Sequence, residues 1–184
     1  MTLPPTPGQT IGPFFGFALP YARDSALVPP TAPGAIRLHG HVYDGAGDPV
    51  PDALVELWQA GQDGVVPQEP GSLHRDGYTF TGWGRAATDR AGHYGFSTVA
   101  PGATRDGEAP YLAVTVFARG LLDRLFTRAY LPGDDGALAA DPLLASMPPE
   151  RRHTLVARPD NHGFVFDVRL QGEGETVFLH HERH

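Results

Sequence analysis

The nine histidines are the first candidates for chemistry in this sequence of 184 residues. His39 and His41 form a His-x-His pair, and side chains two residues apart lie on one face of a strand, where two imidazoles can reach one metal ion. No third ligand stands near them in the sequence, so we interpret the pair as solvated or hydrogen-bonded. His180, His181 and His184 crowd the C-terminus, where such a tail is usually solvated.

The other chemical groups do not form a recognisable catalytic set. The few serines do not occur in a Gly-x-Ser-x-Gly motif, and most carboxylates stand at predicted turns, where they cap the backbone. Glu56 and Asp167 instead lie within predicted strands. Their expected partners are arginines, namely Arg37, Arg85 or Arg169, in pairs that are more often structural than catalytic.

Composition limits the class of protein. A hydrophobic fraction of 41% with 19% charged residues is ordinary for one soluble globular domain. The chain has no cysteine, so any metal would need His, Tyr or carboxylate ligands. A net charge of -7 with 14 Lys plus Arg argues against a nucleic-acid surface. We also expect a cytoplasmic protein, because we find neither a leader-like start nor a membrane-length apolar run.

Alternating apolar residues predict an all-β fold. The 23 Gly and 19 Pro suit many short elements joined by turns. The predicted strands are 36–42, 53–59, 84–88, 94–99, 111–119, 125–131, 164–170 and 176–179. The turn at 89–92 indicates a hairpin between the third and fourth of these strands. The stretch 141–157 is the one helical region, with a start at Pro148-Pro149-Glu150.

We therefore predict a single antiparallel β-sandwich domain with an N-terminal extended arm and one or two short helices. The arm comprises residues 1–34 and the sandwich residues 35–184. Phe14, Phe15 and Tyr21 make the arm rich in aromatic side chains, which are costly to leave in water. The arm should therefore lie against its own domain or a partner.

Several segments resemble the intradiol ring-cleavage dioxygenases. Residues 42–60 (VYDGAGDPVPDALVELWQA) look like the signature of that family, residues 6–14 like its opening motif and residues 84–94 like its middle hairpin. Residues 117–120 and 166–176 are similar to the alpha subunits of its protocatechuate 3,4-dioxygenase branch. The resemblance covers almost the whole chain and implies the same sandwich fold.

The resemblance also implies that this chain holds no iron. Catalytic members bind ferric iron with two Tyr and two His, the latter as His-x-His after a proline. In this register Pro110 is followed by Tyr111 and, two residues later, Ala113. Tyr78 is the only tyrosine in the first upstream region. The implied arrangement is a subunit without catalytic residues, with Fe(3+) bound by the beta subunit.

The implied role is to complete a pocket on that partner. In alpha subunits the arm helps to wall the substrate pocket, and matching motifs assign substrate-binding roles to Thr10, Gly12, Pro13 and Phe14. Arg119 matches an arginine near the mouth of the site, and its guanidinium suits a substrate carboxylate. A strand-end salt bridge is an equally good interpretation of Arg119.

The implied reaction cleaves protocatechuate with O2 to 3-carboxy-cis,cis-muconate, in a hetero-oligomer of alpha-beta pairs. Two alternatives remain open. One is a homomeric catechol or hydroxyquinol dioxygenase with displaced ligands. The other is a transthyretin-like module that binds an aromatic ligand without chemistry.

Overall fold

Two β-sheets account for most of the regular structure. The computed structural model describes residues 8–12, 14–69 and 75–180, without the side chain of Phe17. Residues 1–7 of the arm, Pro13 and the histidines at 181 and 184 lie outside these ranges. The first sheet contains β1 (Ala35–Tyr43), β4 (His93–Val99), β7 (Arg158–Asp160), β8 (Gly163–Val165) and β9 (Val168–Arg169). The second contains β2 (Leu54–Gln59), β3 (Trp83–Ala87), β5 (Tyr111–Phe117) and β6 (Leu125–Tyr130).

The strand order confirms the all-β class. The first sheet runs β4-β1-β8-β7, with β9 also paired to β1, and the second runs β3-β2-β5-β6. Pairs in the second sheet are antiparallel, whereas β8 and β9 run parallel to β1. The alternation of side chains along each strand determines which residues enter the core. In β5, Leu112, Val114 and Val116 are buried, while the residues between them point outward.

The predicted hairpin at 89–92 is wrong. The turn itself forms, with the Asp89 carboxylate accepting from the backbone N–H groups of Ala91 and His93. The strands that it joins enter different sheets, because β3 pairs with β2 and β4 pairs with β1 along seven residue pairs. Local turn chemistry predicts the reversal of the chain, but long-range pairing decides which strands become neighbours.

The C-terminal region differs from the predicted strands in two places. The segment 164–170 is divided into β8 and β9, with Phe166 between them buried in the core. The segment 176–179 forms no strand, only an isolated bridge between Leu179 and Phe126. Thr176 instead bonds with Arg169 through backbone and side chain, which ties the segment to the end of β9.

The helices are short. Besides α1 (Phe15–Ala18) in the arm, the chain forms α2 (Asp135–Ala140), α3 (Pro142–Ser146), α4 (Pro149–Arg152) and the 3-10 turn His153–Leu155. The predicted start at Pro149 is confirmed. The Asp141 carboxylate is buried. It is stable there because it caps the N-terminus of α3 and also accepts a hydrogen bond from the Ala109 N–H. No helix within the described ranges is long and apolar enough to cross a membrane.

Much of the arm packs on its own sandwich. Leu27 is buried in the main core, and Ala26 forms a bridge with Ser97 of β4. Arg85 of β3 donates from its backbone to the Asp24 carbonyl and from its guanidinium to the Leu19 carbonyl. The arm thus lies along the edges of both sheets.

Candidate functional site

A hydrogen bond joins the start of the arm to the turn that follows β5. The Thr10 Oγ1 accepts from the backbone N–H of Gly120 at 2.8 Å. Gly120 has a φ of 91°, a left-handed conformation that glycine adopts without strain, and it directly follows Arg119. Two of the predicted substrate-binding residues, Thr10 and Arg119, are therefore held at the same end of the sandwich although 109 positions separate them.

Arg119 forms a two-point ion pair with Asp52. Its NH2 lies 2.8 Å from Oδ2, and its Nε lies 3.4 Å from Oδ1. The two side chains are 56% and 38% exposed, so solvent screens the pair. A guanidinium has five N–H donors in a planar fork, so donors remain for a second anion. The predicted strand-end salt bridge is present, and its geometry leaves room for contact with a carboxylate.

A cleft of about 490 Å³ adjoins this ion pair. Its lining includes Arg119, Gly120, Asp52, Asp44 and Gln171. The cleft lies where the turn after β5 meets the turns before β2. The sequence predicts that these turn carboxylates cap the backbone. Asp44 does so, because its Oδ1 accepts from the backbone N–H groups of Ala46 and Asp48.

Two of the other predicted arm residues, Gly12 and Phe14, are accessible. Phe14 is 75% exposed, whereas its neighbour Phe15 is buried. Gly12 lies in open space, since a Cβ built on it would have no heavy atom within 4 Å. Pro13 lies outside the described residues. An exposed aromatic ring at the start of α1 is suited to burial against another chain.

The positions in register with the imidazole ligands lie on the outer face of the second sheet. Ala113 stands opposite Arg128 of β6, whose Cζ lies 3.8 Å from the centroid of the Tyr111 ring. The Arg128 NH1 also donates to the Tyr130 hydroxyl at 3.3 Å. Burial raises the pKa of Tyr130 to about 12. The Tyr130 hydroxyl in turn donates to the Asp141 carboxylate at 3.2 Å, so it both accepts and donates a hydrogen bond within the protein.

The donor set at this place does not fit an iron site. Tyr78, the tyrosine upstream, is 96% exposed. Within the described ranges, no group of three or more His, Cys, Asp or Glu is arranged to hold a metal ion. Iron needs anionic oxygen or neutral imidazole donors, and here the groups are a guanidinium, two phenols and the Asp141 carboxylate, which already caps α3. The assignment of no catalytic or metal residue to this chain stays a prediction.

Each histidine of the β1 pair lies beside a carboxylate. The Nε2 of His39 lies 3.2 Å from Asp160, and the Nδ1 of His41 lies 3.7 Å from Asp167. His39 is buried rather than at the surface. His93 joins them from β4, with its ring centroid 5.1 Å from that of His41. The sequence did not indicate this neighbour, which only the β1–β4 register brings close.

Of the predicted strand ion pairs, one is confirmed. Both Nε and NH2 of Arg85 donate to Glu56 Oε1, at 3.1 and 2.6 Å. Asp167 pairs with Arg158 rather than with Arg37 or Arg169. Asp52 and Arg128 are the residues that sequence reasoning missed. Asp52 carried only a turn signal, and nothing in the sequence relates Arg128 to residue 111.

Comparison with known proteins agrees with this geometry. A family model described as "Dioxygenase" matches residues 11–172. Among solved structures, the dioxygenase domain of a carbohydrate-binding fusion from Streptomyces sp. SirexAA-E is 26% identical, with a TM-score of 0.62, over 92% of this chain and 99% of that one. Catechol 1,2-dioxygenase from Pseudomonas arvilla C-1 shares the fold at 24% identity and a TM-score of 0.57, covering 80% and 55% of the chains. The sandwich is thus of the dioxygenase class.

Sequence relatives narrow this class. The protocatechuate 3,4-dioxygenase alpha chain of Burkholderia cepacia is 41% identical over 97% of this chain and 98% of its own length. The alpha chain of Pseudomonas putida is 39% identical over 96% of both chains. The Burkholderia cepacia beta chain is 35% identical over 77% of this chain and 66% of its own. This chain belongs to the dioxygenase family, among its protocatechuate 3,4-dioxygenase alpha chains.

Proposed function

We propose that this chain is the non-catalytic alpha subunit of a protocatechuate 3,4-dioxygenase. It completes a substrate pocket on a beta subunit that binds Fe(3+). The observation that carries the proposal is the hydrogen bond from Gly120 to Thr10, which holds the exposed start of the arm beside Arg119. An aromatic wall and a guanidinium then face the same partner surface.

The division of labour follows from the residues. The iron on the partner supplies the redox chemistry that lets O2 cleave the ring bond between the two hydroxyl-bearing carbons. Arg119 binds or attracts the substrate carboxylate through the donors that Asp52 leaves free. Gly12, Pro13 and Phe14 line the pocket and restrict water. The product is 3-carboxy-cis,cis-muconate.

The partner in this proposal is a homologous sandwich. The 35% identity to a beta chain supports a common ancestor for the two subunits and hence a similar fold. We propose that the arm, residues 1–34, packs on the beta subunit through its first part, and that alpha-beta pairs form a hetero-oligomer. The exposed rings of Phe14, Tyr78 and Trp58 offer apolar surface for such contacts.

Co-expression with a beta subunit tests the proposal. The alpha chain alone, the beta chain alone and the complex are assayed for bound iron and for O2 uptake with protocatechuate. We expect turnover from the complex and neither stoichiometric iron nor turnover from the alpha chain alone. Iron and activity in the lone alpha chain, or full activity of the beta chain without its partner, would contradict the proposed role.

A further inference from the structure

A second cleft opens on the outer face of the first sheet. It has a volume of about 520 Å³, within the range of small-molecule sites. The β1–β4 register places Arg37 opposite Ser97 and His39 opposite Gly95. Leu38 and its alternate neighbours fill the core, so the odd-numbered side chains of β1 face outward towards this cleft.

The glycine in β4 makes room for a guanidinium. A Cβ built on Gly95 would lie 3.7 Å from both Nε and NH2 of Arg37 and 3.5 Å from the Cβ of His39. The guanidinium therefore lies directly over Gly95, where any other residue would place its side chain. This arrangement forms the polar part of the cleft.

The polar groups of the cleft lack protein acceptors. No carboxylate belongs to its lining, and no ion pair links Arg37 to any residue that the structure describes. The Oγ of Ser97 is buried, and it has no hydrogen-bond partner among the residues that the structure describes. A buried hydroxyl without a partner is costly, so it favours a ligand that supplies an acceptor.

The charge of the cleft suits a monoanion. Burial lowers the pKa of His93, and the neighbouring His41 and Arg37 lower it further. The imidazole of His93 is therefore predominantly neutral near pH 7 and offers one N–H donor rather than a second charge. Arg37 then supplies the permanent positive charge, and its planar fork matches a carboxylate.

Apart from His162, which adds a second imidazole, the remaining walls are apolar. Pro30, Ala35 and Ile36 line the cleft beside the polar groups. We propose that this cleft binds a small organic monocarboxylate, whose carboxylate pairs with Arg37 and accepts from Ser97 while its apolar body lies against Pro30 and Ile36. The cleft shares no lining residue with the one at Arg119, so this inference does not depend on the proposed function.

Calorimetric titration with cyclohexanecarboxylate tests the site. The titration uses the full chain in its complex with the beta subunit, or the full chain alone where no complex forms. Loss of subunit assembly and absence of probe binding are therefore observed separately. We expect saturable binding that Arg37→Gln weakens about tenfold or more, because a charge-assisted bond is lost. Ser97→Ala should weaken it about threefold.

Gly95→Val is the second test, because it fills the cleft without removing a polar group. The contacts that its Cβ makes are ordinary van der Waals distances, and a β-branched residue suits a strand. We expect a folded protein that no longer binds the probe. Arg90→Gln in an exposed turn is the matched control and should leave binding unchanged.

Arg119→Gln distinguishes this site from a carboxylate bound at the proposed substrate pocket, and it should retain the binding that depends on Arg37. The inference is overturned if no saturable binding is found, or if Arg37→Gln and Gly95→Val bind the probe as tightly as the unmodified chain. The inference is also overturned if the parent complex does not bind the probe and Arg37→Gln dissociates the complex. That result would assign the cleft to a subunit interface.

Discussion

Replacing Arg119 by alanine tests the link between the ion pair at the end of β5 and substrate recognition. The guanidinium is 56% exposed and bonded to Asp52 through two of its nitrogens. If the remaining donors receive the substrate carboxylate, the replacement removes a charge-assisted contact. The KM for protocatechuate of the assembled enzyme should then rise. Arg119→Lys keeps the charge without the planar fork, so we expect an intermediate KM.

The size of the effect follows from the exposure of the pair. A hydrogen bond to a charged group contributes about 1.5–3 kcal/mol, and we take the lower end because solvent screens this side chain. About 1.5 kcal/mol corresponds to roughly a tenfold rise in KM. The lost pair with Asp52 should change the free energy of unfolding by roughly 0–1 kcal/mol, or a few degrees in Tm.

Asp52→Asn provides the opposing perturbation. It removes the anion that competes with the substrate for Arg119, so we expect KM to fall by up to about fivefold, the value of an exposed pair of about 1 kcal/mol. Steady-state O2 uptake at low and high ionic strength measures both variants. A KM for Arg119→Ala that stays unchanged at every ionic strength would refute the reasoning. A rise in KM for Asp52→Asn would show instead that the ion pair only maintains the turn.

Three further predictions concern the arm, the second sheet and the outer face. Thr10→Val removes the hydrogen-bond acceptor that holds the arm at Gly120, so kcat/KM should fall about 2- to 10-fold with an unchanged Tm. An unchanged kcat/KM would show that this hydrogen bond does not position the arm for catalysis. Glu56→Gln leaves Arg85 partly buried without its counter-ion, so chemical denaturation should show a loss of about 2–4 kcal/mol, and a loss below about 0.5 kcal/mol would contradict burial of the pair. Tyr111→His combined with Ala113→His should not raise the iron content of the chain, because a guanidinium already lies over the ring at position 111; stoichiometric iron would refute this.

The alternation of apolar residues was sufficient to predict the main strands. In β1 and β2, Leu38, Val42, Val55 and Leu57 are buried as the alternation predicts, because a strand has only two faces and one must exclude water, whereas Ile36 at the start of β1 is only partly buried. Alternation carries no information about which strand lies alongside. For this reason the hairpin at 89–92 was wrongly predicted, and segment 176–179 lacks the continuous partner that a strand needs.

The candidate site depends on contacts that are distant in sequence. The pair of Arg119 with Asp52 spans 67 positions, and the bond of Gly120 to Thr10 spans 110. The family resemblance made Arg119 a candidate for binding a carboxylate, but nothing in the sequence identified its counter-ion. The family resemblance supplied the arm residues, since no periodicity distinguishes Thr10 from other exposed threonines.

The second sheet explains how the residues in register with the metal ligands of the family can change while the fold is kept. Its inward residues, such as Leu112 and Val114, are buried, whereas Tyr111 and Ala113 face outward. Substitution at outward positions leaves the core intact, so ligands there can be lost without unfolding the sandwich. At this surface Arg128 stacks on Tyr111, and a cation–π contact of about 0.5–2 kcal/mol needs no metal. The proposed role of the arm and Arg119 needs the same separation of faces, with partner contacts at the surface and a core that remains that of the dioxygenase family.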